Sequence, residues 1–114
     1  METNQARAVA KYISMSSQKV RLVIDVVRGM DVNEALSQLR LMPQRAAEPV
    51  SKVIASAAAN AEENLGLSRD DLYVAIITAD EAPTRRWRRF GARGRFKPLE
   101  RRSSHISVLL RERE

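Results

Sequence analysis

The sequence has no cysteine, which excludes a disulfide framework, a thiolate zinc site and a cysteine nucleophile, and agrees with a reducing compartment. It has one histidine, His105, too few to assemble an imidazole metal cluster. Its apolar runs are a few residues long, far short of the roughly 20 needed to cross a bilayer. Met1 to Ala6 lack both the basic start with an apolar stretch of a secretory signal and the Arg- and Ser-rich character of an organellar presequence, so a cytoplasmic site of action is the simplest expectation. A nucleotide-type phosphate loop is missing, because Gly91 and Gly94 lie among arginines rather than between a strand and a helix. The acidic neighbours Glu62 and Glu63, Asp70 and Asp71, and Asp80 and Glu81 point in different directions on any regular backbone, so paired-carboxylate catalysis has no support. The expectation is a protein that is not an enzyme and has no cofactor, metal or small-molecule substrate.

What the chain has is enough apolar sequence to fold and a lopsided charge. With 114 residues, 44% apolar and 30% charged, it has room for one hydrophobic core and one domain spanning 1–114. The net charge is +6. Residues 1 to 84 carry 9 Lys/Arg against 11 Asp/Glu, a net of −2, while residues 85 to 102 carry 9 Lys/Arg against Glu100 alone, a net of +8. The positive excess sits in one short segment, as expected of a polyanion-binding element.

The residue pattern predicts strand, three helices, two strands. Ala6 to Ile13 alternates, with Ala6, Ala8, Ala10 and Tyr12 on one side and Arg7, Val9, Lys11 and Ile13 on the other, and reads as a strand. Ser16 or Ser17 caps a helix with the stripe Val20, Val23, Ile24 and Val27, and Gly29 follows its end. Asp31 and Glu34 form a capping-box pattern for a short helix with apolar face Val32, Ala35, Leu36 and Leu39, stopped by Pro43. Gln44 to Glu63 reads as a longer helix, in which Pro49 marks the first turn or kinks the axis, and Gly66 lies near the exit. Leu72 to Ala79 is a nearly continuous apolar strand, and in Ile106 to Leu110 the residues Ile106, Val108 and Leu110 face one way.

Between the last two strands lies the basic segment, interrupted by Pro83, Gly91, Gly94 and Pro98. It forms a compact loop or an extended hairpin; two arms of about ten residues would reach roughly 30 Å. Its cations are Arg85, Arg86, Arg88, Arg89, Arg93, Arg95, Lys97, Arg101 and Arg102, eight of nine being the residue suited to bidentate phosphate contact. Trp87, Phe90 and Phe96, three of the five aromatics, are interleaved where they could stack on unpaired bases. A solvated charge run is the plain alternative. A weaker candidate is the start of the first helix: Gln18, Lys19 and Arg21 follow the serine cap with no acid before Asp25, an arrangement that opposes the helix dipole unless a phosphate sits there. Arg7 and Lys11 are expected to extend that patch. His105, at a strand edge, reads as a structural or RNA-contacting residue. Ser56 and Asn60 read as packing and solubility positions. A DNA-binding or RNA-chaperone protein would use the same arm; an anionic-membrane binder fits less well, because glycine and proline break the basic run.

Several segments together resemble one family across nearly the whole chain, the bacterial-type large ribosomal subunit protein twenty-two. Ser17-Gln18-Lys19-Val20-Arg21-Leu22-Val23, ending in Arg28-Gly29, resembles its first helix, and Ser56-Ala57-Ala58-Ala59-Asn60-Ala61 its long helix. Asp80-Glu81-Ala82-Pro83, Ala92-Arg93-Gly94-Arg95 and Arg102-Ser103-Ser104-His105-Ile106-Ser107-Val108 resemble the frame of its hairpin. Ala82 departs from a usual glycine, and Phe90-Gly91 from a common proline-arginine pair. The resemblance implies an α+β fold, a small three-stranded antiparallel sheet packed against three helices, with body 1–82 and 103–114 and a long projecting basic hairpin 83–102. It further implies a non-catalytic part of the large ribosomal subunit that binds large-subunit rRNA, aids assembly and lines the nascent-peptide exit tunnel. Neighbouring large-subunit proteins and the nascent peptide are the other implied partners. By position the implied rRNA contacts are Lys19, Arg21, Arg86, Arg93, Arg95, Arg102 and His105.

Overall fold

The computed structural model describes residues 4–83, 85–90 and 96–113, the stretch 85–101 by its backbone alone. The order of elements is β1 (Gln5–Ile13), α1 (Ser17–Val27), α2 (Val32–Leu41), α3 (Ala47–Leu65), a 3-10 turn at Arg69–Asp71, β2 (Leu72–Glu81), β3 (Arg85–Phe90), β4 (Phe96–Arg101) and β5 (Ser104–Glu112). β5 is the centre of an antiparallel sheet of order β1-β5-β2, and β3 and β4 form a separate two-stranded ladder. This is the α+β body with a basic hairpin.

Each helix forms where its apolar period and its ends agree. In α1, Ser16 Oγ accepts from the Lys19 amide, Val20, Val23, Ile24 and Val27 are buried, and Gly29 (φ +86°) turns the chain back. α3 buries Val50, Val53, Ile54, Ala57, Ala58 and Ala61 and closes on Gly66 in the left-handed region. The alanines let α3 lie close to the sheet. Pro49 is the third residue of α3, where the amide that proline lacks would have no partner inside the helix. It marks the first turn.

The helices cover one face of the sheet, where Ala6, Leu72, Val74, Ile77, Ala79, Ile106, Val108 and Leu110 are buried. Full burial of a side chain such as Ile54 or Ile106 contributes about 2–3 kcal/mol. The other face stays open, with Val9 and Ile76 exposed on it.

Two expectations are corrected, at β1 and at α2, and the apolar run of β2 finds its reason in the register. The alternation in β1 does not run through to Ile13: the register with β5 shifts between Ala10 and Ile13, and Tyr12 takes φ +57°. This bulge turns Tyr12 outward and brings Ile13 against the core. The continuous apolar run of β2 comes from a second register shift, between Val74 and Ile76, so that Leu72 and Val74 before it and Ile77 and Ala79 after it all face inward. At α2, Asp31 is the N-cap residue but makes no side-chain cap bond; its Oδ1 accepts from Arg113 Nε at 2.6 Å instead. Arg113 also donates to the Gly29 carbonyl and lies over the Tyr73 ring at 4.4 Å, tying the end of the chain to the α1–α2 turn.

Both edges of the sheet are occupied. Along β2, the Ala79 carbonyl accepts from Arg21 Nε, the Ile77 carbonyl from Arg28 and the Val74 carbonyl from the Gly29 amide. Along β1, the Arg7 carbonyl accepts from Asn60 Nδ2 at 3.2 Å. An unsatisfied strand edge is a template for unwanted pairing, and here three side chains and one backbone amide fill four edge positions.

Candidate nucleic-acid interface

The basic arm leaves the body where β2 and β5 end. Glu81 pairs with Ser104, and the Ala82 amide donates to the Ser103 carbonyl at 3.0 Å, closing the neck. Beyond it the register moves by one residue, to Arg85 opposite Arg101, and continues as Arg86–Glu100, Trp87–Leu99, Arg88–Pro98, Arg89–Lys97 and Phe90–Phe96. The molecule measures 64 × 31 × 18 Å with a radius of gyration of 17.3 Å, against about 13 Å for a compact chain of this length. The arm therefore projects.

The register pairs Arg85 with Arg101 and Arg89 with Lys97, and sets one acid, Glu100, at the position of Arg86; like charges at paired positions of a ladder are unfavourable in general. The side chains of Arg85, Arg86, Trp87, Arg88, Arg89, Lys97 and Arg101, and the whole of Arg93 and Arg95, lie outside the described residues.

On the body, the start of α1 forms one wall of an open groove of ≈ 650 Å³ lined by Ser14, Met15, Ser16, Lys19, Leu22, Gln44, Arg45, Ala46 and Arg102. Lys19 comes from α1, Arg102 from the returning base of the arm, and Arg45 from the turn before α3. The groove thus gathers cations from three separate stretches of chain, and among the described residues no carboxylate lines it. Lys19 and Arg102 were expected from the sequence. Gln44 and Arg45 were not: an isolated Gln-Arg pair in a turn carries no local signal, and only the packing of α3 beside α1 brings it to the serine cap.

The other expected residues divide. Gln18 is exposed on the first turn of α1. Arg21 is used internally, its Nε on the Ala79 carbonyl at 3.0 Å, which leaves the terminal guanidinium nitrogens for a phosphate. Arg7 lines a different hollow, on the open sheet face with Val9, Ile76, Thr78 and Leu109, and Lys11 is exposed beside the β1 bulge. His105 lies on β5, and its Nδ1 accepts from the Tyr12 amide at 3.0 Å while the two rings meet edge to face. A ring nitrogen that accepts carries no proton, so this bond leaves Nε2 as the nitrogen able to donate. Asn60, expected to serve packing and solubility, holds the β1 edge.

The arrangement is one of fixed cations on a rigid frame, suited to binding a polyanion. A family model described as ribosomal protein L22p/L17e matches residues 8–111. The chain is 48% identical over 110 residues to the large ribosomal subunit protein uL22 of Thermoanaerobacter sp. (strain X514), an alignment covering 96% of this chain and 99% of the relative. Identity and coverage are the same for the large ribosomal subunit protein uL22 of Clostridium kluyveri (strain NBRC 12016): 48%, with 96% of this chain and 99% of the relative.

Proposed function

Because the chain belongs to the ribosomal protein L22p/L17e family, we propose that it binds large-subunit rRNA through the arm 83–102 and the start of α1, aids subunit assembly, and lines the nascent-peptide exit tunnel. Its relatives are named as large-subunit proteins, so its place is the ribosome in the cytoplasm and its role is structural, not enzymatic. The observation that carries the rRNA reading is the arm itself: nine cations within residues 85–102, six of them on a projecting two-stranded ribbon whose register pairs Arg85 with Arg101 and Arg89 with Lys97. Such a ribbon gains stability when phosphates surround it. The candidate contacts are Arg7, Lys11, Gln18, Lys19, Arg21, Arg85, Arg86, Trp87, Arg88, Arg89, Arg93, Arg95, Lys97, Arg101, Arg102 and His105.

Sedimentation of a lysate through a sucrose gradient tests the assignment. The protein should travel with the large subunit through a high-salt wash; release into the light fractions would refute it. In filter binding to large-subunit rRNA, affinity should fall by ~10³ or more between 50 and 200 mM salt if six or more phosphates are neutralised. For the tunnel, a stalled nascent chain carrying a photoreactive residue should cross-link to this protein, and a cross-link-free result across several chain lengths would remove that part of the reading.

A further inference from the structure

The groove beside the α1 cap has features that phosphate binding alone does not require. Met15 and Leu22 line it together with the cations, and Leu22 is 65% exposed, an apolar surface left in the open next to Lys19, Arg45 and Arg102. Gln44 adds an amide that both donates and accepts. Ser16, the cap of α1, also lines the groove, its Oγ accepting from the Lys19 amide. The volume, ≈ 650 Å³, lies within the range of small-ligand sites. By contrast, the neighbouring hollow between α2 and α3 contains Glu48 among its cations and offers a polyanion far less.

We propose that this groove seats an unpaired, extruded nucleotide of the RNA, its phosphate on Lys19, Arg45 and Arg102, its base against Met15 and Leu22, and its edge read by Gln44. The inference rests on the rRNA-binding reading above and adds base recognition to the body, where that reading asks only for charge. Charge and apolar surface side by side match a splayed nucleotide, which presents both; a duplex presents phosphate alone to a groove of this kind, and sequence-specific RNA recognition targets unpaired bases.

The test is base-directed chemical probing of a bacterial large-subunit rRNA transcript bound to the full-length protein, comparing wild type with Leu22→Asp, Gln44→Ala and Arg45→Glu. All three positions are exposed, and thermal melting confirms folding of each; Lys52→Glu, outside the groove, is the control. Wild type should shield a small set of unpaired bases. Leu22→Asp and Gln44→Ala should restore reactivity at those bases while backbone protection by the arm persists, and Arg45→Glu should weaken binding about fivefold or more, with the control unchanged. If the groove variants leave every shielded base shielded, the inference is wrong, as it would be if a segment of a neighbouring protein occupies the groove. If wild type binds the transcript nowhere, the rRNA reading itself fails and this inference with it.

Discussion

Arg21 Nε reaches 58 residues along the chain to the Ala79 carbonyl, fixing α1 to the β2 edge while its terminal nitrogens stay open to solvent. Loss of a partly exposed hydrogen bond of this kind costs about 1 kcal/mol, so Arg21→Ala should lower the urea midpoint modestly and weaken rRNA binding as well. Arg21→Lys should recover part of the binding, since a charge remains, and little of the stability, since an ammonium lacks the guanidinium's fork. Equal recovery of both would contradict the double role. Helix-start charge singled out Arg21 in the sequence as an expected RNA contact, but its partner on β2 was invisible, because nothing local marks a contact that only the tertiary fold creates. Gly29 is a second single-residue dependence. At φ +86° it lets its amide reach the Val74 carbonyl, and although a methyl group there would meet no neighbour, the backbone angle alone should make Gly29→Ala cost about 1 kcal/mol in denaturant unfolding.

At the scale of elements, helices were legible where periodicity and punctuation coincide. Ser16 and Gly29 bracket α1, and Gly66 ends α3, as their positions relative to the apolar stripe predict. What was not legible was interruption. The bulges at Ala10/Ile13 and Val74/Ile76 change which residues face the core without changing local composition, so strict alternation misplaced Tyr12, and the nearly continuous apolar run of β2 did not show which of its residues face inward. The Asp31–Glu34 pattern was genuine local sequence, but Arg113, 82 residues away, takes the carboxylate, and a bond between two charged groups displaces one in which only the acceptor is charged. The place of Pro49 makes a prediction for α3. As the third residue of the helix its ring displaces no intrahelical bond, so Pro49→Ala should change the unfolding free energy by less than about 1 kcal/mol. Proline at the helix centre, Ala59→Pro, should cost about 3 kcal/mol or more. A large loss from Pro49→Ala would mean that the ring does more than begin the helix.

For the whole molecule, the two parts of the proposed RNA-binding surface differed in how far the sequence disclosed them. The arm's cations are contiguous in the chain, so counting charge located them; the groove draws on α1, the turn before α3 and the base of the arm, so only the fold assembles it. The same division separates stability from binding. Among the residues whose side chains are described, the core is built from the three-stranded sheet and its helices, and the Ala82–Ser103 hydrogen bond closes the neck beneath β3 and β4. Replacing residues 83–102 by Asn-Gly, a turn suited to joining two antiparallel strands, should therefore leave a body that unfolds in one cooperative transition near the midpoint of the intact protein. Its rRNA affinity should drop sharply, and the slope of log K against log salt should become shallower by about 0.9 for each phosphate the arm neutralises, on a duplex-calibrated scale. A body that fails to fold would show that the arm helps to build the core. A slope that stays the same would shift the phosphate contacts from the arm to the body, to Lys19, Arg21, Arg45 and their neighbours.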